Sequence, residues 1–256
     1  MTRGAAQAEQ VRPGVNEDSL LGGRVRLLQP AEGYRVAIDP PLLAAALEAA
    51  PGERVLDLGC GTGAVALCVL ARVADLRLVG LELDRDRLDL ARANARLNDL
   101  TERFEALEGD LRSPPAALVA QPFDHVLCNP PYLEAGPDPH SKQGACASAT
   151  REGEARLGRW VAGALALVRA KGSVTFIHRA DRLAELLARL SGPAGEIVVC
   201  PLWPKAGRPA KRVIVRARKA VATPLRLAPG LVLHRDDGSF TAEAEAILRD
   251  AAPLPL

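Results

Sequence analysis

At 256 residues, with 48% apolar and 25% charged residues, the chain has the composition of a folded globular protein, which excludes wholesale disorder. The length suits one large domain, or one domain with a small appendage. Aromatics reach only 3%, so the core must be built from Ala, Val and Leu, and the net charge of +2 by itself names no partner.

The charge is unevenly placed. Residues 205–219 hold Lys205, Arg208, Lys211, Arg212, Arg216, Arg218 and Lys219 and no acid, so this stretch carries +7 and the rest of the chain −5. Five cysteines, an odd count without a Cys-x-x-Cys pair, point to neither a zinc site nor a disulfide framework. They read as buried thiols, inert and apolar. The N-terminal residues lack the apolar core of a secretory signal, and no uncharged run approaches the ~18 residues of a spanning helix. A cytoplasmic protein without membrane or metal partners is expected.

In chain order, residues 1–18 are polar and read as a loose tail. Residues 24–28 and 34–38 read as the strands of a hairpin around Pro30–Gly33. Asp39-Pro40-Pro41 then opens a helix over 42–49, with Asp39 as its N-cap or, alternatively, as a cofactor ligand. From residue 54, short apolar runs alternate with helical stretches. Strands are predicted at 54–58, 76–82, 104–108, 123–128 and 173–178, and helices at 63–73, 84–98, 153–170 and 180–190. This alternation predicts a parallel sheet covered on both faces. Residues 196–202 and 212–217, joined by a Gly/Pro-rich basic turn, predict an antiparallel hairpin added to that sheet. A strand at 231–234, a turn at Asp236–Gly238 and a helix at 241–249 close the chain. The expected division is a tail (1–18), a hairpin and helix (19–50) and a main domain (51–256).

Two motifs carry chemistry. In Asp57-Leu-Gly59-Cys60-Gly61-Thr-Gly63, a predicted strand turns into a predicted helix, and glycines there let backbone approach a ligand. Alone, it is equally a tight connection. Glu82 and Asp110 follow the next two strands, at the sheet edge where open α/β folds bind ligands; an acid at the first position can accept ribose hydroxyls, and one at the second an adenine amino group. The second motif, Asn129-Pro130-Pro131-Tyr132, follows the fourth strand. Its prolines impose an extended turn and remove N–H donors, leaving carbonyl acceptors of the kind an –NH2 group needs. Tyr132 offers a face for a planar group.

As a set these residues resemble the class I S-adenosylmethionine-dependent methyltransferases. The resemblance implies a Rossmann-like sheet, mostly parallel, with a C-terminal antiparallel hairpin and helices on both faces. It implies S-adenosylmethionine held by Asp39, Asp57, Gly59, Cys60, Gly61, Gly63, Glu82, Leu83, Asp110, Leu111 and Asn129. Asn129, Pro130, Pro131 and Tyr132 would present the acceptor amine. The Asn-Pro-Pro-Tyr turn is shared by adenine-N6, guanine-N2 and protein-glutamine methyltransferases. Guanine enzymes usually carry Phe in the fourth place, and glutamine enzymes a longer helical segment ahead of the first motif. Through Leu21–Val25, Gly33–Pro40, Gly63–Arg72 and Gly207–Arg212, the chain is most similar to the bacterial valine-tRNA (adenine-N6)-methyltransferases. That likeness implies tRNA as partner, with Lys205, Arg208, Lys211 and Arg212, and His140 and Lys142 in the long loop after Tyr132, as candidate phosphate contacts. The alternative for the basic segment is a charged hairpin that blunts a sheet edge. Trp160 and Trp203 read as core, and His125 as structural.

Overall fold

Val55, Leu56 and Leu58 are wholly buried because β3 (Arg54–Leu58) lies mid-sheet with apolar layers on both sides. The computed structural model describes residues 14–32, 35–134, 151–152 and 157–256. Strands β4 (Arg77–Glu82) and β5 (Phe104–Glu108) extend the sheet on one side of β3, and β6 (Phe123–Cys128) on the other. Residues 133–134 and 151–152 form a two-residue parallel pair, β7 and β8. Beyond β6 lies β9 (Val168–Arg179), then β11 (Arg212–Lys219), then β10 (Ala194–Lys205). Short strands β12 (Arg226–Leu227) and β13 (Leu231–His234) flank β10. From β9 to β5 all neighbours run parallel, whereas β11 is antiparallel to both β9 and β10. The chain is thus an α/β fold with a mostly parallel sheet and a C-terminal antiparallel hairpin.

Alternate side chains of the central strands feed two separate cores. Val55 and Leu127 pack with α1 (Asp39–Ala45), α2 (Ala64–Arg72) and α3 (Arg85–Leu97), while Leu56, Leu58, Val126 and Cys128 pack on the opposite face. That second face is covered by α4 (Ala116–Ala120), α5 (Leu157–Leu167) and α6 (Leu183–Leu190). The final helix, α7 (Ala242–Asp250), joins the first face through Ala244 and Ile247. Asp84 caps α3 by accepting from the Arg87 N–H, and Thr241 caps α7 by accepting from Ala244. Along α3 the stripe Leu88, Ala91, Ala95 is buried as its spacing predicts.

The N-terminal region differs from the sequence expectation. β2 (Val25–Pro30) pairs backwards with β1 (Val15–Leu20), Val15 facing Pro30 and Leu20 facing Val25, and residues 35–37 form no strand. β1 therefore occupies part of the expected tail. Its register rests on polar pairs, Glu17 with Arg26 and Asp18 with Gln29, which leave no apolar alternation to read. Asp39 is the first helical residue rather than the N-cap, and its side chain caps nothing; the cap position is Ile38. The α5 helix stops at Leu167, three residues short of the predicted end, because β9 begins at Val168.

Two asparagines tie the hairpin to the main domain: Asn98 pairs with the backbone of Arg26, and Asn94 reaches further in. Asn94 on α3 is wholly buried; its Nδ2 donates to the carbonyls of Leu28 and Thr62, each at 2.9 Å, and its Oδ1 accepts from Leu28 N–H at 2.6 Å. Asn94→Leu leaves those backbone groups without partners in an apolar setting. It is expected to lower unfolding free energy by about 2–3 kcal/mol, checked by urea denaturation. A loss below a few tenths would show that water replaces the amide.

Candidate cofactor and amine site

The cleft lies where open α/β sheets place ligands, outside the carboxyl ends of β3, β4 and β6 and beside the point where strand order reverses. It encloses about 880 Å³, within the roughly 300–1,000 Å³ of small-molecule sites. Of the residues picked from the sequence, Gly59, Cys60, Gly61, Glu82, Leu83, Asp110, Leu111, Asn129 and Pro131 line it. Gly63 and Asp57 stand behind the loop. Pro130 is buried and Tyr132 half-buried at the rim.

The glycines have distinct reasons. Gly59 has φ +74°, and a Cβ there would meet the Trp160 ring at 2.3 Å. Gly61, at φ +56°, faces open space. Trp160, expected as core, therefore lines the cleft as well as packing beneath its loop. Glu82 is nearly buried: Oε2 accepts from Gly61 N–H at 2.8 Å, and Oε1 from the N–H groups of Leu83 and Asp84. Beside it, Leu83 is 62% exposed, a large apolar side chain open to the cleft. The Arg112 guanidinium and N–H bind the Asp110 carboxylate and hold its pKa below the usual carboxylate value. Asp57 is wholly buried with Oδ2 unpartnered; burial pushes its pKa up to about 7, the Ala66 N–H opposes this, and the charge of Glu82 adds to it. Sequence reasoning missed Gln29, Pro30, Glu32 and Val36, which roof the cleft, because nothing local marks them as near residue 59.

The amine turn is held from outside. The Tyr132 hydroxyl stands 2.5 Å from both Asn129 Oδ1 and Asp39 Oδ2. Arg212 lays its guanidinium over the Tyr132 ring, 4.5 Å from the centroid, with Nε 3.3 Å from the same Asp39 oxygen. Asp39 is thus a partner of Tyr132 and Arg212 and is not among the residues lining the cleft. His178, wholly buried, meets Tyr132 at 84°; burial and the charges of Arg182 and Arg212 lower its pKa to about 4, so it is neutral.

The basic segment is not one patch. Its turn, with Arg208 and Lys211 exposed, lies at the site edge, and Lys205 donates to the Asp236 carbonyl. Arg212 points inward. β11 then carries Arg216, Arg218 and Lys219 to the opposite end of the sheet, where Arg216 pairs with Glu48, Arg218 with Glu196, and Lys219 with the Val168 carbonyl. His140 and Lys142 lie outside the described residues, as does Cys146. Cys60, Cys68, Cys128 and Cys200 are buried free thiols. Trp203 is half-buried rather than core, and His125 bridges Ser173 and Glu53 within the sheet. Among the described residues no cluster of metal-ligating side chains occurs, and no helix is long and apolar enough to cross a membrane.

With this geometry in view, residues 35–170 match the family model described as "Methyltransferase small domain". The chain belongs to that family. It is 35% identical over 92 residues to a release factor glutamine methyltransferase of Aliivibrio fischeri, a match covering 36% of this chain and 31% of that protein. The chain thus spans only about a third of the length of such relatives. It is 29% identical over 211 residues to a tRNA1(Val) (adenine(37)-N6)-methyltransferase of Aeromonas hydrophila, covering 81% of this chain and 85% of that one. A crystal structure from Agrobacterium tumefaciens, described as a predicted O-methyltransferase, superposes with TM-score 0.70 at 26% identity, covering 85% and 99% of the two chains.

The cleft fits S-adenosylmethionine, the cofactor that the sequence resemblance implies. Gly61 leaves a space that a Cβ would enter, Glu82 and Asp110 present carboxylates, and Leu83 offers an exposed apolar surface. Gly59→Ala places a methyl group inside the Trp160 ring at a left-handed φ. It is expected to abolish cofactor binding in calorimetry, whereas Gly61→Ala retains the fold and weakens binding by filling the cleft. Asp57 gives a pH prediction. Its folded pKa, about 7, exceeds the ordinary value near ~3.9, so between those values the folded chain binds the extra proton. The group's contribution to stability is therefore full below pH ~4 and is lost as pH rises to 7. Guanidinium unfolding at pH 5 and pH 8 is expected to show a smaller fall for Asp57→Asn than for wild type.

Proposed function

We propose that this methyltransferase transfers a methyl group from S-adenosylmethionine to the exocyclic N6 amine of an adenine in tRNA, in the cytoplasm. The supporting observation is the Asn129–Tyr132 turn on the rim of the cofactor cleft, in a chain whose likeness to named tRNA1(Val) (adenine(37)-N6)-methyltransferases runs over 81–85% of its length. That extent favours tRNA over release factors, where the likeness covers only 36–41% of the chain.

When bound, S-adenosylmethionine supplies an electrophilic methyl group on a sulfonium sulfur. Gly59, Cys60 and Gly61, in the loop that Gly63 closes, would hold it, with Asp57 buried behind that loop. Glu82 would accept the ribose hydroxyls with the lone pairs its backbone donors leave. Asp110 would accept from the adenine amino group, with Leu83 and Leu111 lining the cleft beside it. Asn129 Oδ1 and the Pro130 carbonyl accept the two hydrogens of the target amine. That draws the nitrogen lone pair out of conjugation and toward the methyl group, while Pro131 keeps the turn extended and Tyr132 stacks on the flipped base. A hydroxyl acceptor would bring one hydrogen to a place offering two acceptors. No dedicated base is required, because the proton leaves after the nitrogen has become cationic. Lys205, Arg208 and Lys211 lie on the side of the site where the RNA backbone approaches.

A second reading, methylation of a glutamine amide, is favoured by the higher local identity to release factor enzymes. The deciding assay incubates the protein with isotopically labelled S-adenosylmethionine and either unmodified tRNA or a release factor. Labelled N6-methyladenosine in digested tRNA is expected; label on the release factor alone replaces the first reading with the second. Asn129→Ala is expected to reduce turnover by about 10²–10³-fold while cofactor affinity is nearly unchanged.

A further inference from the structure

Arg212 belongs by sequence to the basic stretch and reads as a phosphate contact. The fold turns it elsewhere. It is the first residue of β11, in register with Arg179 at the end of β9, and its side chain is only one-third exposed. The guanidinium covers one face of Tyr132 and its Nε meets the Asp39 carboxylate, which is 12% exposed. A lysine ammonium could satisfy the charge, but not the ring face and the carboxylate together.

We propose that Arg212 is a positioning residue for methyl transfer, acting through Asp39 and Tyr132 on the carboxamide of Asn129. The inference rests on the amine-methylating reading of the 129–132 turn. The Tyr132 hydroxyl has one proton and two acceptors at equal distance, Asn129 Oδ1 and Asp39 Oδ2. An isolated carboxylate is the stronger acceptor and would draw the hydroxyl away from the amide. Arg212 shares the charge of Asp39 and leaves the proton for Asn129. Once that bond forms, the oxygen end of the carboxamide is fixed and one of its lone pairs is used, so the other points to the amine hydrogen. The cation over the ring holds the aromatic plane in the same stroke. His178, neutral and wedged against the ring, supplies no competing charge. The other charged groups packed around the cluster, Arg179, Asp181 and Arg182, engage one another or Glu185.

A positioning residue and a phosphate contact fail differently. Arg212→Met is expected to lower the single-turnover rate by about 10- to 100-fold, with cofactor affinity and the KM for RNA little changed. Arg212→Lys should recover part of the rate. Adding Asp39→Asn to Arg212→Met should cost little more, since both act through one hydroxyl. A rate equal to or above wild type, or a loss confined to KM with a shallower salt dependence, overturns the proposal in favour of a phosphate contact. A substrate-free readout separates this from the choice of acceptor. The chain has only two tyrosines, Tyr34 and Tyr132, so a Tyr34→Phe protein labelled with 13C at tyrosine Cζ gives one resonance. That resonance is expected to move in both Arg212→Met and Asp39→Asn. An unmoved signal overturns the proposal even if tRNA is methylated. A moved signal in a protein that labels no tRNA adenine counts against the substrate reading alone and supports the positioning role.

Discussion

Glu82 receives N–H groups from Gly61, Leu83 and Asp84, and so joins the loop after β3 to the loop after β4 with one carboxylate. Most of the cleft follows from that joint. Gly61 must sit close enough to be reached, which requires the left-handed backbone at Gly59 and Gly61, which in turn lets Trp160 press against the loop from beneath. Behind the same loop Asp57 is sealed from water, its acidity weakened by burial and by the charge of Glu82. Two carboxylates in one desolvated corner are costly to hold ionised, and the folded chain relieves this by letting Asp57 keep its proton to higher pH. The loop therefore owes its shape to glycine geometry and to hydrogen bonds on Glu82, with Asp57 as a polar plug behind it.

Asn94 extends this joint outward. By donating to Thr62 and to Leu28 it ties the glycine loop to the N-terminal hairpin, and the hairpin brings Gln29, Pro30 and Val36 over the cleft. Gln29, nearly buried, accepts from the Val36 N–H and so fixes the strand-to-helix passage that delivers Asp39. Cofactor loop, roof and amine turn are thus parts of one hydrogen-bonded chain.

What the sequence revealed was local chemistry at strand ends. The longer strands from residue 54 onward, the glycine loop, Glu82, Asp110 and the Asn129 turn announce themselves within a few residues, because strand period, turn residues and motif spacing are short-range properties, whereas the two-residue strands and the first residues of β9 do not. The features it concealed depend on partners far along the chain. β1 pairs with β2 through Glu17–Arg26 and Asp18–Gln29, a polar alternation that reads as a tail until its partner is known. Asn94 sits within the apolar stripe of a helix and looks like an ordinary polar interruption. Asp39 reads as a cap because a proline pair follows it, yet its partners are residues 132 and 212. The +7 stretch looks like one surface, but β11 crosses the sheet and divides it between opposite ends.

That division changes the electrostatic argument. A phosphate-binding rim needs cations that are exposed and unengaged, and Arg216, Arg218 and Lys219 are already committed to Glu48, Glu196 and a backbone carbonyl. Within this segment, Arg208 and Lys211 face outward beside the Asn129 turn, while Lys205 is engaged by the Asp236 carbonyl. Immediately next to Lys211, Arg212 turns in. Adjacent residues with the same sign of charge thus face two environments, one wet and one two-thirds enclosed. In water, exchanging one cation for another changes little. Over the Tyr132 ring and against a desolvated carboxylate, planarity and fixed direction matter as much as charge. The residue that composition groups with the exposed cations of the turn is, by its surroundings, a partner of Asp39 and Tyr132.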